Sequence, residues 1–343
     1  MKKKKKRNKQ KLKFAFKQNL DTDCFTKLGI NNTFCCFKTH NDILYLIYSN
    51  EKNSIIIFDI DRNTKVTVII KAHDKFIYNL RHHLFEKEQK DLLLSISEKN
   101  DLKIWNIDNC ECILCLPNKY NNACFMNLGK KILYIAASFN SNFRFNKNVD
   151  IYNIGGKQIQ SIAQYNRVVE RMESFFNEKN GCNYLIIGHE NSLNFFNFTK
   201  NMHCKNFSLF ENTNEYINSR INFKLYSIIK FNRNICCSFY GGIICVFDFP
   251  NFDYLYRIKL TKKDLFDILF IDGNYLVASN DGNLKLIDII NQERKPNINS
   301  TQDKINYFIT IKKISHPKHG EILLAQRLNN RKIQMYTIKY EYE

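Results

Sequence analysis

Cysteine is the reactive residue type that stands out in this sequence, with twelve cysteines among 343 residues. Cys112 and Cys115 form a CxxC pair, a spacing found in structural zinc sites and redox-active thiols. A zinc site needs a second cysteine pair or two histidines at matching spacing, and neither follows here. In an extended strand Cys110 and Cys112 point to one face and Cys115 to the other, which disfavours a metal. We therefore expect buried, reduced thiols.

The histidines and acidic residues form no recognisable catalytic pattern. His316 and His319 lie in the sequence HPKH, and His82 and His83 are adjacent, but neither pair has a partner at metal-ligand spacing. We expect surface or turn histidines at these positions. The sequence has no GxSxG, P-loop, HExxH or GxGxxG motif. We therefore expect no catalytic residues, no cofactor and no metal.

The net charge of +19 is concentrated at the start of the sequence. Ten of the 52 Lys and Arg residues fall within the first 17 positions, with no acidic residue among them. Such an arm attracts nucleic acid or an anionic membrane surface, and compositional drift in a Lys- and Asn-rich chain is the alternative. The residues assigned to a nucleic-acid or localisation arm are Lys2, Lys3, Lys4, Lys5, Lys6 and Arg7.

The second candidate binding segment is 138–148, SFNSNFRFNKN, in which aromatic and cationic residues are interleaved. Rings stack or fill pockets, and cations meet phosphate or carboxylate, so the segment suits a peptide or a nucleic acid. The alternative is that Phe143 and Phe145 extend a hairpin and pack inward. The candidate partner-binding residues are Phe139, Phe143, Arg144, Phe145 and Lys147.

These segments belong to a repeated β-structure. Strand-like phrases recur at intervals of 40 to 51 residues, and spacing in the forties with several strands per unit is typical of a β-propeller. The anchors of the phrases are Phe58, Trp105, Tyr152, Phe196, Phe247, Ile287 and Tyr336. Five positions before an anchor the turn needs a residue that tolerates positive φ. The residues there are Asn53, Asn100, Asn191, Gly242 and Gly282, with Lys147 and Arg331 as exceptions.

This pattern resembles the WD-repeat β-propeller family. Residues 277–289, VASNDGNLKLIDI, are similar to the serine, Asp-Gly turn and Trp-Asp strand of that family, with Ile287 in the Trp place. Trp105-Asn106 stands where Trp-Asp is usual, and the sequence around His73 resembles the Gly-His that opens a repeat. A kelch-type propeller is the main rival, but it would show a glycine doublet in every repeat, and only two doublets occur.

The resemblance implies a structural brace, in which a His, a strand Ser, a turn Asp and the Trp are hydrogen-bonded within one blade. In the second repeat His73, Ser97 and Trp105 match this pattern, and Lys99 stands in the place of the Asp. In the sixth repeat Ser279 and Asp281 match, and the Trp is lost. We therefore expect most blades to depend on apolar packing.

The predicted fold is all-β, a seven-bladed β-propeller closed by an N-terminal strand. Residues 1–11 are predicted to be a basic flexible arm and residues 12–343 a single propeller. Only three strand phrases follow Ile305, and a four-stranded blade needs one more. Residues 12–18, LKFAFKQ, alternate apolar and polar side chains, so we expect them to supply the outer strand of the last blade.

The predicted function is that of a non-catalytic scaffold subunit in a larger intracellular assembly. Its partners would be other proteins, with the propeller monomeric within the complex. The alternative is an RNA- or ribonucleoprotein-associated propeller that uses the basic arm. No segment of about 18 apolar residues occurs, so we expect no membrane partner. The expected location is cytoplasmic, with the nucleus as the alternative.

Overall fold

The chain is all-β, as the sequence predicts. In this computed structural model the backbone forms 28 strands and one turn of 3-10 helix, Tyr240–Gly242, over the described residues. The structure describes residues 10–24, 34–39, 41–99, 101–117, 120–128, 132–139, 147–165, 168–189, 192–209, 224–260, 265–272, 275–280, 283–288, 293–294, 308–327 and 331–342.

The described strands form four-stranded antiparallel sheets, numbered here in chain order. Sheet 1 contains β2 (Phe34–Lys38), β3 (Leu44–Ser49), β4 (Ile55–Asp59) and β5 (Thr64–Ile69). Sheet 2 contains β6 (Ile77–Phe85), β7 (Lys90–Ser97), β8 (Leu102–Asn106) and β9 (Glu111–Leu116). Sheet 3 contains β10 (Tyr120–Leu128), β11 (Ile132–Phe139), β12 (Lys147–Asn153) and β13 (Gln158–Tyr165).

The remaining sheets follow the same plan, with the last one completed by the first strand of the chain. Sheet 4 contains β14 (Arg171–Asn177), β15 (Cys182–His189), β16 (Ser192–Asn197) and β17 (Met202–Ser208). Sheet 5 contains β18 (Leu225–Phe231), β19 (Asn234–Phe239), β20 (Ile243–Asp248) and β21 (Tyr254–Lys259). Sheet 6 contains β22 (Leu265–Asp272), β23 (Tyr275–Asn280), β24 (Asn283–Asp288) and β25 (Glu293–Arg294). Sheet 7 contains β26 (Phe308–His316), β27 (Gly320–Arg327), β28 (Ile333–Tyr342) and β1 (Gln10–Asn19).

The predicted number of seven blades is wrong, because the described strands form six full blades and one reduced sheet. Six sheets are full blades, because each of their four strands has at least five residues. Sheet 6 has three full strands and a two-residue fourth, β25, which pairs only with Ile287 and Asp288. The sequence that follows β25 is Lys295-Pro296. Lys is depleted in strands and Pro lacks the backbone N–H that a ladder needs, so the sequence after β25 has low strand propensity.

The predicted closing strand is confirmed. Strand β1 pairs antiparallel with β28, from Gln10 opposite Tyr342 to Asn19 opposite Gln334. The strand begins two residues before the predicted segment. A strand from the start of the chain thus completes a sheet built from its end, which covers an edge that would otherwise be unpaired.

Apolar clusters fill the spaces between successive sheets. Between sheets 4 and 5, the Phe195 and Phe247 rings have centroids 5.4 Å apart. Between sheets 7 and 1, Leu324 and Leu46 belong to one buried cluster. Because the last sheet packs on the first, the sheets form a closed ring, and the predicted β-propeller is confirmed.

The residues that marked the repeat lie where the pattern requires them. Asn53 and Gly242 have φ values of 59° and 74°, the positive range expected at these turns. Trp105 is 6% exposed and packs between sheets 1 and 2. Because Asn as well as Gly tolerates positive φ at these turns, repeats with few glycines still form tight hairpins.

Candidate functional site: the central channel

The first strand of each sheet in chain order, from β2 and β6 to β26, lies innermost and faces the centre of the ring. A cavity of about 380 Å³ lies between these strands, lined by residues of β2, β6, β10, β14 and β26. A second cavity of about 290 Å³ is bordered by β14, β18, β22 and β26. Glu173 and Lys312 line both cavities, so the two spaces share walls in the channel.

An ion pair crosses this channel. The Nη1 atom of Arg81 lies 2.5 Å from Oε1 of Glu173. Arg81 belongs to sheet 2 and Glu173 to sheet 4, so the pair bypasses sheet 3. The side chains are only 11% and 30% exposed, and an ion pair shielded from water is electrostatically stronger than a surface pair.

A second arginine is held by backbone carbonyls. Nε of Arg171 donates a hydrogen bond to the carbonyl oxygen of Tyr226 at 2.7 Å. Burial and, to a smaller extent, the nearby charge of Arg81 lower the pKa of Arg171 to about 10. Arg171 therefore remains charged at neutral pH and ties sheet 4 to sheet 5.

A buried carboxylate joins three sheets on the opposite side of the channel. Asp267 accepts hydrogen bonds from Ser227 Oγ at 2.9 Å, from the backbone N–H of Ile268 at 3.0 Å and from that of Ile311 at 3.1 Å. The Nζ atom of Lys312 lies 3.6 Å from this carboxylate. These contacts make Asp267 a structural anchor among sheets 5, 6 and 7.

The channel histidines are neutral near pH 7. His82 stacks on Phe37 with ring centroids 3.5 Å apart, and its Nε2 lies 2.7 Å from Oδ1 of Asp91. Burial lowers the pKa of His82, although the Asp91 carboxylate acts in the opposite direction. Burial lowers the pKa of His83 to about 4, and the adjacent His82 adds to this shift.

Thiols that line the first cavity are protonated. Burial raises the pKa of both Cys36 and Cys124 to about 12. A cysteine acts as a nucleophile through its thiolate, which these two side chains do not form at neutral pH.

The hydrogen-bonded brace in sheet 2 contains a serine other than the predicted one. The His73 ring lies 2.7 Å from Oδ2 of Asp101 through Nδ1 and 2.6 Å from Ser95 Oγ through Nε2. Nε1 of Trp105 donates to the same Ser95 hydroxyl at 2.8 Å. Ser97 contacts the other carboxylate oxygen of Asp101 instead. Ser95 and Ser97 are two residues apart on one strand and share a face, so the sequence alone does not separate them.

The predicted loss of the turn Asp in this repeat is also wrong. The Asp of the brace is Asp101, two residues after Lys99. Lys99 lies at the surface, where its Nζ is 2.9 Å from Asp74. The brace is therefore complete in sheet 2. Of the two sixth-repeat residues, Ser279 lies in β23, and Asp281 lies outside the described residues.

The two candidate binding segments fall largely outside the described part of the chain. Phe139 is the last residue of β11 and Lys147 the first of β12, so they flank the stretch that joins these two strands. Phe143, Arg144 and Phe145 lie outside the described residues. The arm residues also lie outside them: Lys2, Lys3, Lys4, Lys5, Lys6 and Arg7.

The expectation of buried thiols on opposite strand faces is wrong for the CxxC pair. A bulge in β9 pairs Cys115 with Lys103 and Cys112 with Trp105, so both cysteines share one face. Cys112, Cys115 and Cys204 are exposed. The described residues contain no group of three or more His, Cys, Asp or Glu side chains able to hold a metal.

His316 differs from its expected place in a surface turn. It ends strand β26, is 5% exposed, and its Nε2 lies 2.9 Å from Oδ1 of Asp61. Its ring stacks on His319 with centroids 4.6 Å apart. The contact of His316 with Asp61 joins sheets 7 and 1, so His316 has a structural role.

The charged residues of the channel are not among the sites predicted from the sequence. These residues lie on three inner strands: Arg81 on β6, Arg171 and Glu173 on β14, and Asp267 on β22. A charged residue within a strand is a local signal of a buried polar contact, because buried charges in proteins are usually paired.

The closed ring and its polar channel define the class of this protein as a β-propeller. No family model matches the sequence, and no curated protein matches it. Among the described residues no helix has the length and apolar character needed to cross a membrane.

Many solved structures are similar to this propeller, and two kinds of them serve as examples. One is Raptor from Chaetomium thermophilum, with a TM-score of 0.67 and 14% identity over 94% of this chain. This chain spans only 30% of the Raptor chain. The other is BBS1N, solved in complex with ARL6DN in crystals soaked with mercury or lead. Both of those comparisons have a TM-score of 0.69, with 8% and 7% identity over 94% of this chain and 96% of that chain.

Proposed function

We propose that this chain is a non-catalytic scaffold subunit of a larger protein assembly and a diverged member of the WD-repeat family. The observation that carries the proposal is the closure of the ring by the pairing of β1 with β28. A closed ring fixes its loops in space, and those loops can vary without disturbing the packed sheets.

The structural neighbours support a role in protein interaction. BBS1N was solved in complex with a protein, ARL6DN, and it matches this chain along nearly the whole length of both. A sequence identity of 8% supports a shared fold and does not identify the partner of this chain.

The chemistry of the channel favours a non-catalytic role. The cavity thiols are protonated because burial raises the pKa of Cys36 and Cys124 to about 12. His82 and His83 have lowered pKa values, and Asp267 is occupied by hydrogen bonds that hold three sheets together. These groups are arranged to stabilise the ring.

RNA binding gains no support from these neighbours, and the arm that would carry it lies outside the described residues. The proposed partner contacts therefore remain those of the candidate segment 138–148, which includes Phe139 at the end of β11 and Lys147 at the start of β12.

Affinity purification of the tagged full chain from its native cells tests this proposal. We expect at least one protein at a stoichiometric ratio, and its amount should fall strongly when Phe139, Phe143 and Phe145 are replaced by Ser. The matched control replaces the exposed outer-strand residues Val66 and Val68 by Ser and should leave the complex intact. If no protein copurifies stoichiometrically with the wild-type chain, the scaffold proposal is wrong.

A further inference from the structure

One face of the inner strand β6 carries a column of polar atoms without partners. Asn79, Arg81 and His83 alternate along this strand and therefore share a face. Both amide atoms of Asn79, Nε and Nη2 of Arg81 and Nε2 of His83 are buried without a hydrogen-bond partner. Buried polar atoms in native proteins are nearly always paired, so a repeated exception on one face indicates a place for a ligand.

The free atoms of Arg81 have a defined geometry. Its Nη1 contacts Glu173, which leaves Nε and Nη2. These two nitrogens carry parallel N–H bonds on one side of the planar guanidinium. Such a pair matches two oxygens of a carboxylate or a phosphate, which accept both hydrogen bonds together.

The charge of the cavity favours a carboxylate over a phosphate. Among its lining residues, Arg81 and Lys312 are cationic and Glu173 is anionic. His82 and His83 add no charge at neutral pH because their pKa values are lowered. Arg81 is paired with Glu173 and Lys312 lies near Asp267, so a phosphate dianion would be repelled by Glu173 more strongly than the single charge of a carboxylate.

The size and the walls of the cavity fit a short acidic group. Its volume of about 380 Å³ admits a side chain or a small organic acid. Phe125 and Phe176 provide an apolar wall beside Arg81 and His83. A carboxylate on a short aliphatic stem would meet polar groups at its head and apolar rings along its stem.

We propose that the central channel binds a carboxylate group, held by Nε and Nη2 of Arg81. The carboxylate has two sources with the same chemistry, a free organic acid or the acidic side chain of a partner protein. The second source would extend the proposed scaffold function, and the first would be independent of it.

Isothermal titration calorimetry with the full chain tests the proposal. The probes are glutarate, the peptide Gly-Gly-Glu-Gly-Gly with blocked ends, and the same peptide with Gln in place of Glu. Binding of glutarate alone assigns a free acid, and binding of the Glu peptide assigns a protein side chain. Either result supports the site, provided that the Gln peptide binds about tenfold more weakly or not at all. If neither glutarate nor the Glu peptide binds, the proposal is wrong.

Two variants of the ion pair separate binding from folding. Arg81→Gln should weaken binding at least about tenfold, because a bidentate contact is lost. Glu173→Gln should strengthen binding, because it removes a carboxylate that competes for Arg81. A purely structural pair would not produce opposite changes in affinity. Unchanged affinity in Arg81→Gln, or weaker binding in a folded Glu173→Gln variant, would overturn the proposal.

The matched control is Arg233→Gln, an exposed arginine in the turn after β18, outside the cavity. Its affinity should equal that of the wild type. Should Arg81→Gln fail to fold, the double variant Arg81→Gln/Glu173→Gln restores a neutral pair and is expected to show the same loss of binding. Retained binding in the double variant would contradict the proposal.

Discussion

Arg81 and Glu173 join sheet 2 to sheet 4 across the central channel, with 2.5 Å between Nη1 and Oε1. The residues are 92 positions apart in the sequence. A buried ion pair is costly to break from one side, because the remaining charge stays away from water without compensation. The ion pair therefore links two non-adjacent sheets of the ring across the channel.

The first prediction concerns this pair. Arg81→Met should lower the free energy of unfolding by about 3 kcal/mol, because Glu173 is left as a shielded, unpaired carboxylate. The double variant Arg81→Met/Glu173→Gln should recover most of that loss, and urea unfolding of the four proteins measures the coupling. Additive effects in this cycle would show that the two side chains do not interact.

The second prediction concerns the brace in sheet 2. Trp105→Ala should cost about 3–5 kcal/mol of stability, because a buried ring between sheets 1 and 2 is removed. Ser95→Ala should cost about 1–3 kcal/mol, because His73 and Trp105 both lose a hydrogen-bond partner. Thermal denaturation followed by circular dichroism measures both. A smaller loss in Ser95→Ala than in Ser97→Ala would contradict the assignment of Ser95.

The third prediction concerns ring closure. Deletion of residues 1–19 should lower the melting temperature and expose the edge of β28, because β1 pairs with that edge. The control is deletion of residues 1–9, which precede β1 and should leave the melting temperature unchanged. Equal melting of the longer truncation and the full chain would contradict closure by β1.

The fourth prediction concerns acid stability. Burial acts to raise the pKa of Asp101, but hydrogen bonds from His73 and Ser97 outweigh it and hold the pKa at about 2, below its ordinary value of 3.8. A carboxylate with a lowered pKa in the folded state stabilises the protein above its unfolded pKa, and this contribution disappears as the pH falls towards 2. It amounts to roughly 2 kcal/mol at neutral pH.

The measurement compares unfolding free energies of the wild type and Asp101→Asn between pH 6 and pH 2. The advantage of the wild type should be constant above about pH 4 and shrink by about 2 kcal/mol towards pH 2. Asp108→Asn is the control, because that side chain is exposed. A difference between wild type and Asp101→Asn that is independent of pH would refute the role of this carboxylate.

Local patterns in the sequence predicted the repeated β-sheets and the strand that closes the ring. Alternating strands and turn residues such as Asn53 and Gly242 predicted the repeat, and the alternation around Phe14 and Phe16 predicted the closing strand. These features depend on neighbours along the chain, so a single sequence contains them. The reduced outer strand of sheet 6 was missed, because the anchor at Ile287 says nothing about the length of the strand after it.

The channel site is formed by contacts between residues that are far apart in the chain, and such contacts could not be predicted from one sequence. Arg81 and Glu173 belong to different sheets, and Asp267 bridges three of them. In the brace, Ser95 and Ser97 share one strand face, so only the three-dimensional positions of the rings distinguish them. The bulge that brings Cys112 and Cys115 to one face is likewise invisible to simple alternation.

The mass of the particle that contains this chain in its native cells tests the scaffold role most directly. Native-state sizing of the cell extract, with the purified recombinant chain as reference, is the measurement. We predict that the recombinant chain elutes as a 40.8 kDa monomer and that the native chain elutes in a larger particle. A native chain that elutes with the 40.8 kDa monomer would contradict the proposed role.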